Sequence, residues 1–187
     1  MIPRAATGLL LCVGLVAGQA SLALEIGGAP SDFATTTIQG RHFSLAEAEK
    51  THAAVAVLFL STLCPYSNYY NDLLRDMPPE FERKGVLFVG INSSRVETVE
   101  EIVSHAREHG HVFPILRDSD GRLAGIFDAR RTPEVFLLDH DGRLRYRGRI
   151  ASKISSPDLK NALESLLAGR PVRPTETKAF GCAIQRD

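Results

Sequence analysis

An α/β domain is what the sequence predicts, and three observations predict it. Two continuous β-branched runs, "AAVAVLFLS" at 53–61 and "GVLFVGIN" at 85–92, read as strands buried on both faces. Each is followed by a segment of helical period, which gives a strand-helix-strand-helix rhythm. "PEVFLLDHDGRLRYRG" at 133–148 then reads as two strands joined across Asp141 and Gly142, a dipeptide favoured in tight hairpin turns. The 187 residues suffice for one core, and 22 basic against 22 acidic side chains leave no charge excess that would point to nucleic acid or to an acidic substrate.

The elements follow in order. Arg4 precedes the apolar stretch "GLLLCVGLVAG", and the small residues Ala20, Ser21 and Ala23 come after it, the three-part pattern of a secretory signal peptide. Cleavage is expected after Ala20 or Ala23, which makes 1–23 a leader, 24–169 the domain and 170–187 a tail. An uncleaved membrane anchor is the competing reading, and the glycines interrupting the run weigh against it. Lipid attachment at Cys12 would want a small residue before it, where Leu11 stands. Past the leader, "EIGGAPSDFATTTIQGRHFSL" carries short alternating segments around Gly40, which suggests a hairpin at the domain's edge. "SLAE" at 44–47 has capping-box spacing, with Ser44 as acceptor and Glu47 reaching back, so a short helix is expected.

After the first buried strand the pattern predicts a helix from about Pro65 to Lys84, with Leu73, Leu74, Met77 and Phe81 at helical spacing. Pro65 suits the first helical position, whereas Pro78 and Pro79 should kink or break the helix before Phe81. "SRVETVEEIVSHAREHG" reads as an amphipathic helix with Val99, Ile102, Val103 and Ala106 on one side and Gly110 as its stop. "VFPIL" is a third short strand and "GRLAGIF" a short helix. "SSPDLKNALESLLAG" closes the domain as a helix, with Ser156 as cap, Pro157 in the first turn and Gly169 after the end. The remainder, "RPVRPTETKAFGCAIQRD", has little periodicity and is expected to pack on the surface or stay mobile.

Cys64 sits where the first buried strand gives way to a helix, and such a junction favours a thiolate, because helix N-termini present unpaired N–H groups and the positive end of the macrodipole. Without the leader, Cys64 and Cys182 remain. A domain of this size does not need a disulfide framework, so two cysteines far apart in sequence read as chemical rather than architectural.

That cysteine, in "CPYS", together with "TPEVFLLD" before the hairpin, resembles the thioredoxin-like redoxin group that includes alkyl hydroperoxide reductase and thiol-specific antioxidant proteins. The likeness covers about 26–169, and "ETKAFGCAI" also resembles the tail of exported redoxin-domain proteins. It implies a thioredoxin-like fold: a central mixed β-sheet flanked by helices, here with an N-terminal β-hairpin and an irregular C-terminal extension. It also implies a cis-proline loop at Thr132 and Pro133 facing the cysteine and offering backbone groups to a bound peptide or small disulfide.

The chain departs from the dithiol pattern at Ser67, where the family's second cysteine would stand, so Cys64 cannot complete dithiol exchange locally. Against the peroxiredoxin pattern, Ser61 matches the hydroxyl residue three positions before the cysteine, but Val57 replaces the proline seven before it, and the site arginine could be Arg130 or Arg131. The resemblance thus implies Cys64 as nucleophile and Cys182 as resolving thiol, from the same chain or a partner's, with Ser61, Pro65, Ser67, Arg131, Thr132 and Pro133 lining the substrate site. Expected partners are a disulfide-containing protein or a small peroxide or disulfide as substrate, and an external thiol as reductant; no cofactor or metal is expected. Disulfide exchange, a thiol-dependent peroxidase, and a binding module holding a metal or partner without turnover remain open.

Two further clusters stand out. "HAREHGH" puts His105 and His109 on one helical face with His111 close by, a spacing that can bind metal but that reads first as a solvated helix end with partly cationic histidines. "RLRYRGR" puts Arg143, Arg145, Arg147 and Arg149 on one strand face, expected to meet solvent, with Leu144, Tyr146 and Ile150 on the buried side.

Overall fold

The computed structural model describes residues 24–155 and 157–185; the expected leader and the Ser156 cap lie outside the described residues. The chain begins with a hairpin, β1 (Ala34–Thr36) against β2 (His42–Ser44), followed by α1 (Leu45–Thr51). Ser44 caps α1 by accepting from the Glu47 N–H at 3.3 Å, while the Glu47 carboxylate lies 3.9 Å from His42. Then come β3 (Ala54–Phe59), α2 (Pro65–Asn68), α3 (Asn71–Glu82), β4 (Val86–Asn92), α4 (Val99–Glu108), β5 (Ile115–Arg117) and α5 (Arg122–Phe127). The second half holds β6 (Arg131–Thr132), β7 (Glu134–Asp139), β8 (Leu144–Gly148), α6 (Asp158–Leu167) and β9 (Cys182–Ala183).

Five strands form a mixed sheet in the order β5-β4-β3-β7-β8, with β3, β4 and β5 parallel and β7 and β8 antiparallel. Every residue of β3 is fully buried, because the alternating side chains of a central strand feed two cores. Ala54, Ala56 and Leu58 meet α3, α4 and α6 through Leu74, Phe81, Ile102 and Leu163. Val55, Val57 and Phe59 meet α1, α5 and the hairpin through Leu45, Phe127 and Phe43. Each large side chain so buried contributes roughly 1.5–3 kcal/mol, which is why this strand is continuous in its apolar character.

The helix expected over 65–84 differs in two ways. It is interrupted at Tyr69 and Tyr70, where the Tyr70 hydroxyl donates to the Ala151 carbonyl at 2.7 Å and its N–H donates to Ser67 rather than continuing the ladder. It is not broken by Pro78 and Pro79, which lie inside α3; burial of Leu74, Met77 and Phe81 along one face carries the helix past the lost hydrogen bonds. A complete capping box forms at Thr98 and Glu101, and Pro157 stands at the N-cap of α6 rather than in its first turn.

The arginine row alternates with buried Leu144 and Tyr146 as expected, but its guanidiniums are engaged rather than simply solvated. Arg143 donates to the Gly27 carbonyl, Arg147 to Leu24 and to Glu176, Arg145 pairs with Asp139, and Arg149 with Asp158. The row therefore ties both ends of the described chain to the sheet edge. The tail is ordered along the same edge: Arg147 N–H donates to Thr175, Thr177 N–H donates to Arg147, and β9 pairs antiparallel with β6.

Candidate active site

A turn ends β3 and delivers Cys64 to the N-cap of α2, with Pro65 at the first helical position. The Cys64 N–H donates to the Ser61 carbonyl at 3.3 Å, and the side chain is only 1% exposed. Because α2 is a single turn, the thiolate cannot draw on the macrodipole of a long helix; local donors do the work instead. Burial alone would raise the Cys64 pKa, but hydrogen bonds from Cys182, from the Thr132 side chain and from the Ser67 backbone outweigh it and bring it down to about 7. Cys182 moves the other way, pushed up to about 11 by burial and by its interaction with Cys64. The pair thus releases one proton near neutrality and holds the second.

The second wall is β6 and the cis peptide bond between Thr132 and Pro133. The Cys64 thiol donates to the Thr132 carbonyl at 3.0 Å. The Glu134 carboxylate accepts from the N–H groups of both Arg130 and Arg131, at 2.7 and 3.1 Å, which fixes this loop. The Arg130 guanidinium pairs with Asp128 and that of Arg131 donates to the Gly181 carbonyl at 3.0 Å, so the contact Arg131 makes is to the tail. Register pairs Thr132 with Cys182, which brings the two cysteines of the described chain together, both as free thiols.

Ser61, expected to line the substrate site, lies near it, but its hydroxyl donates to Glu97 at 2.6 Å. Glu97, 1% exposed, also accepts from the Thr62 N–H (2.8 Å), the Thr62 hydroxyl (2.6 Å) and the Asn92 amide (2.8 Å). Burial would raise its pKa, yet these donors hold the carboxyl below its ordinary value. Glu97 thereby pins the turn that carries Cys64, and sequence reasoning passed over it. The signal available was the capping box beginning at Thr98: it places Glu97 before the helix, at the ends of the strands, rather than on a solvated helical face.

Ser67, buried, receives the Ser61 N–H on its hydroxyl at 3.4 Å. Pro65, Tyr66, Tyr69, Tyr70, Pro133 and Phe180 line a cleft of about 660 Å³ beside the cysteine. In the histidine cluster, His105 and His111 are held toward the neutral form rather than cationic. Burial and the neighbouring histidine His109 lower the pKa of His105, whose Nε2 sits 2.9 Å from the Asn68 side-chain oxygen. His111 is lowered to about 4 by burial and by its two histidine neighbours. Among the described residues, no group of three or more histidine, cysteine or acidic side chains is placed to hold a metal ion.

The AhpC/TSA family profile matches residues 26–147. Among solved structures, an uncharacterized conserved protein of Geobacillus kaustophilus is 29% identical with a TM-score of 0.80, covering 89% of this chain and 94% of its own. Peroxidoxin BcpB of Mycobacterium tuberculosis is 23% identical with a TM-score of 0.63, covering 79% of this chain and 99% of its own. A secreted disulfide oxidoreductase of Mycobacterium tuberculosis, homologous to E. coli DsbE, is 20% identical with a TM-score of 0.57, covering 73% and 95%. No curated protein matches the chain. The shared architecture is the thioredoxin-like fold.

Proposed function

Because the chain belongs to the AhpC/TSA family, we propose that it is an exported thiol-disulfide oxidoreductase in which Cys64 attacks and Cys182 resolves. One observation carries the reading: the tail strand sets Cys182 opposite Thr132 and in hydrogen-bond contact with a Cys64 whose pKa is brought down to about 7. The Cys64 thiolate attacks a substrate disulfide, forming a mixed disulfide and expelling one substrate sulfur as a thiolate that takes up a proton. Cys182, giving its proton to solvent, then attacks the Cys64 sulfur and expels the second substrate thiolate. The substrate gains two electrons, and the chain is left with a Cys64–Cys182 disulfide that an external dithiol returns to two thiols.

In that last step Cys182, half-buried against a buried Cys64, is the sulfur the reductant reaches, and Cys64 is the better leaving group because its thiolate is the more stable. Export is part of the proposal and rests on the leader pattern at residues 1–23. A peroxide as oxidant is the second reading. The Ser61 hydroxyl spent on Glu97, the Arg131 guanidinium spent on Gly181 and Val57 in place of proline all favour the disulfide.

Non-reducing peptide mapping after stoichiometric hydrogen peroxide, compared with glutathione disulfide, tests the proposal. Faster formation of a Cys64–Cys182 link with the disulfide is expected. Faster formation with peroxide would reassign the chain as a peroxidase, and oxidation of Cys64 with Cys182 left free would remove the resolving role.

A further inference from the structure

We infer that residues 180–184 form a strand that competes with a polypeptide substrate for the Thr132 edge, so that the return of Cys182 resolves the mixed disulfide and expels the substrate in one event. The inference rests on the reading of Cys64 as nucleophile. It starts from an obstruction: with the tail docked, Cys64 is 1% exposed, so no polypeptide sulfur reaches it. The obstruction is a paired strand, Thr132 with Cys182 and Arg131 with Ala183, extended by the Ile184 N–H donating to the Arg130 carbonyl at 3.0 Å. A substrate strand entering beside Thr132 needs the same backbone groups, and the two cannot be present together.

The tail is built to leave and return. Its root is fixed on β8, where Thr177 N–H donates to Arg147 at 3.0 Å and the Thr177 hydroxyl meets those of Tyr146 and the N–H of Arg149 at 2.7 and 3.0 Å. Its tip is held by β-pairing two residues long, one further backbone bond, the Arg131 contact to the Gly181 carbonyl, the Cys182 contact to Cys64 and the partly buried side chain of Ile184 against the core beneath β3. Gly181 adopts φ 152, and a Cβ there would overlap the Thr132 carbonyl oxygen, so docking requires glycine. Phe180, half exposed at the rim of the tyrosine cleft, moves with the tip and opens the approach to Pro65 and Pro133.

In the sequence of events, the tip peels away and the Cys64 thiolate forms the mixed disulfide with the substrate strand, releasing one substrate thiolate. The tip then re-pairs at Thr132; Cys182 loses its proton to solvent and forms the Cys64–Cys182 bond as the Cys64–substrate bond breaks. The second substrate thiolate departs without a strand to pair with.

The test uses the full chain and a linear cysteine peptide activated as its 2-thiopyridyl disulfide. Compared at a pH above the Cys64 alkylation midpoint of each variant, so that loss of the Cys182 hydrogen bond does not cut the thiolate fraction, Gly181→Val is expected to speed mixed-disulfide formation at Cys64 by at least about tenfold and to slow peptide release by at least about tenfold, because reactivity then scales with the fraction undocked and resolution with the fraction docked. Arg131→Ala, which loosens the same strand without inserting a side chain, should move the two rates in the same opposed directions by a smaller factor. A merely structural role would shift both rates together or neither, and either result overturns the inference. Peptide failing to attach to Cys64 in every variant, Gly181→Val included, would instead remove the underlying reading of Cys64.

Discussion

The two cysteines stand in regions built on opposite plans. The Cys64 turn hangs on one buried carboxylate, Glu97, which gathers four donors from Ser61, Thr62 and Asn92. The Cys182 strand hangs on a short run of backbone bonds, the contact of an exposed arginine, the partly buried Ile184 and two glycines that permit close approach. Opening the first leaves a buried carboxylate and its donors unpaired, whereas in the second the exposed Arg131 and Ala183 can exchange their bonds for ones to water. On the proposed reading, reactivity is thus placed on the rigid side, and motion on the side that costs less to open.

Glu97→Ala should break the contrast most severely. It leaves buried hydroxyl, amide and backbone donors unpaired and is expected to cost about 3 kcal/mol in urea unfolding at neutral pH. The sign with pH follows from the depressed pKa of Glu97: its stabilisation is fully present above the ordinary carboxylate pKa and is lost as pH falls through the lower folded value. The gap in stability between wild type and Glu97→Ala should therefore close in acid, and a gap independent of pH would remove the ionised carboxylate from the account.

Gly148→Val acts on the root of the tail, because a Cβ at φ 138 would overlap the Thr177 carbonyl. A loss of about 1–2 kcal/mol is expected from the strand bonds and the Tyr146 hydroxyl contact, together with slower Cys64–Cys182 crosslinking by a mild oxidant. Crosslinking as fast as wild type would show that the tip docks without its root.

Cys182→Ala removes the foremost of the hydrogen bonds that lower the Cys64 pKa, leaving the burial penalty in place. In wild type the rate of Cys64 alkylation should rise with pH around a midpoint of about 7; in the variant that midpoint should move upward, so that reaction at neutral pH slows although the thiol becomes easier to reach. An unmoved midpoint would assign the lowered pKa to Thr132, Ser67 and the backbone N–H of residue 182, which the variant keeps. The smallest effect is expected from Arg131→Ala on stability, about 0.5 kcal/mol as for other exposed polar contacts, with faster amide exchange confined to residues 182–184.

The sheet was legible in the sequence because β3, β4 and the β7–β8 hairpin are specified by side-chain burial, which leaves an apolar pattern and an Asp-Gly turn. The junction cysteine was legible for the same reason, as punctuation at the end of the first buried strand, whereas the Thr132–Pro133 loop was legible only through the resemblance to the redoxin group. The tail strand was not, since its pairing uses backbone groups that every residue carries; the trace it left was the glycine before Cys182. Glu97 and the break at Tyr69 and Tyr70 were hidden because each depends on contacts distant in sequence, Ser61 for one and Ala151 for the other. Pro78 and Pro79 misled in the opposite direction, since local propensity gave way to the burial of Phe81.

The anchoring of Thr177 to β8 also sets how the rate of internal disulfide formation depends on dilution. Cys182 lies five residues past a fixed point, so its sulfur searches a sphere of radius roughly 17 Å at most, the span of an extended chain of that length. Within that volume Cys64 meets a local thiol in the millimolar range or above, whatever the protein concentration. On the proposed reading, closure of the disulfide is then first order in protein, and a chain diluted far below the level at which two copies would meet would still complete its own half of the reaction.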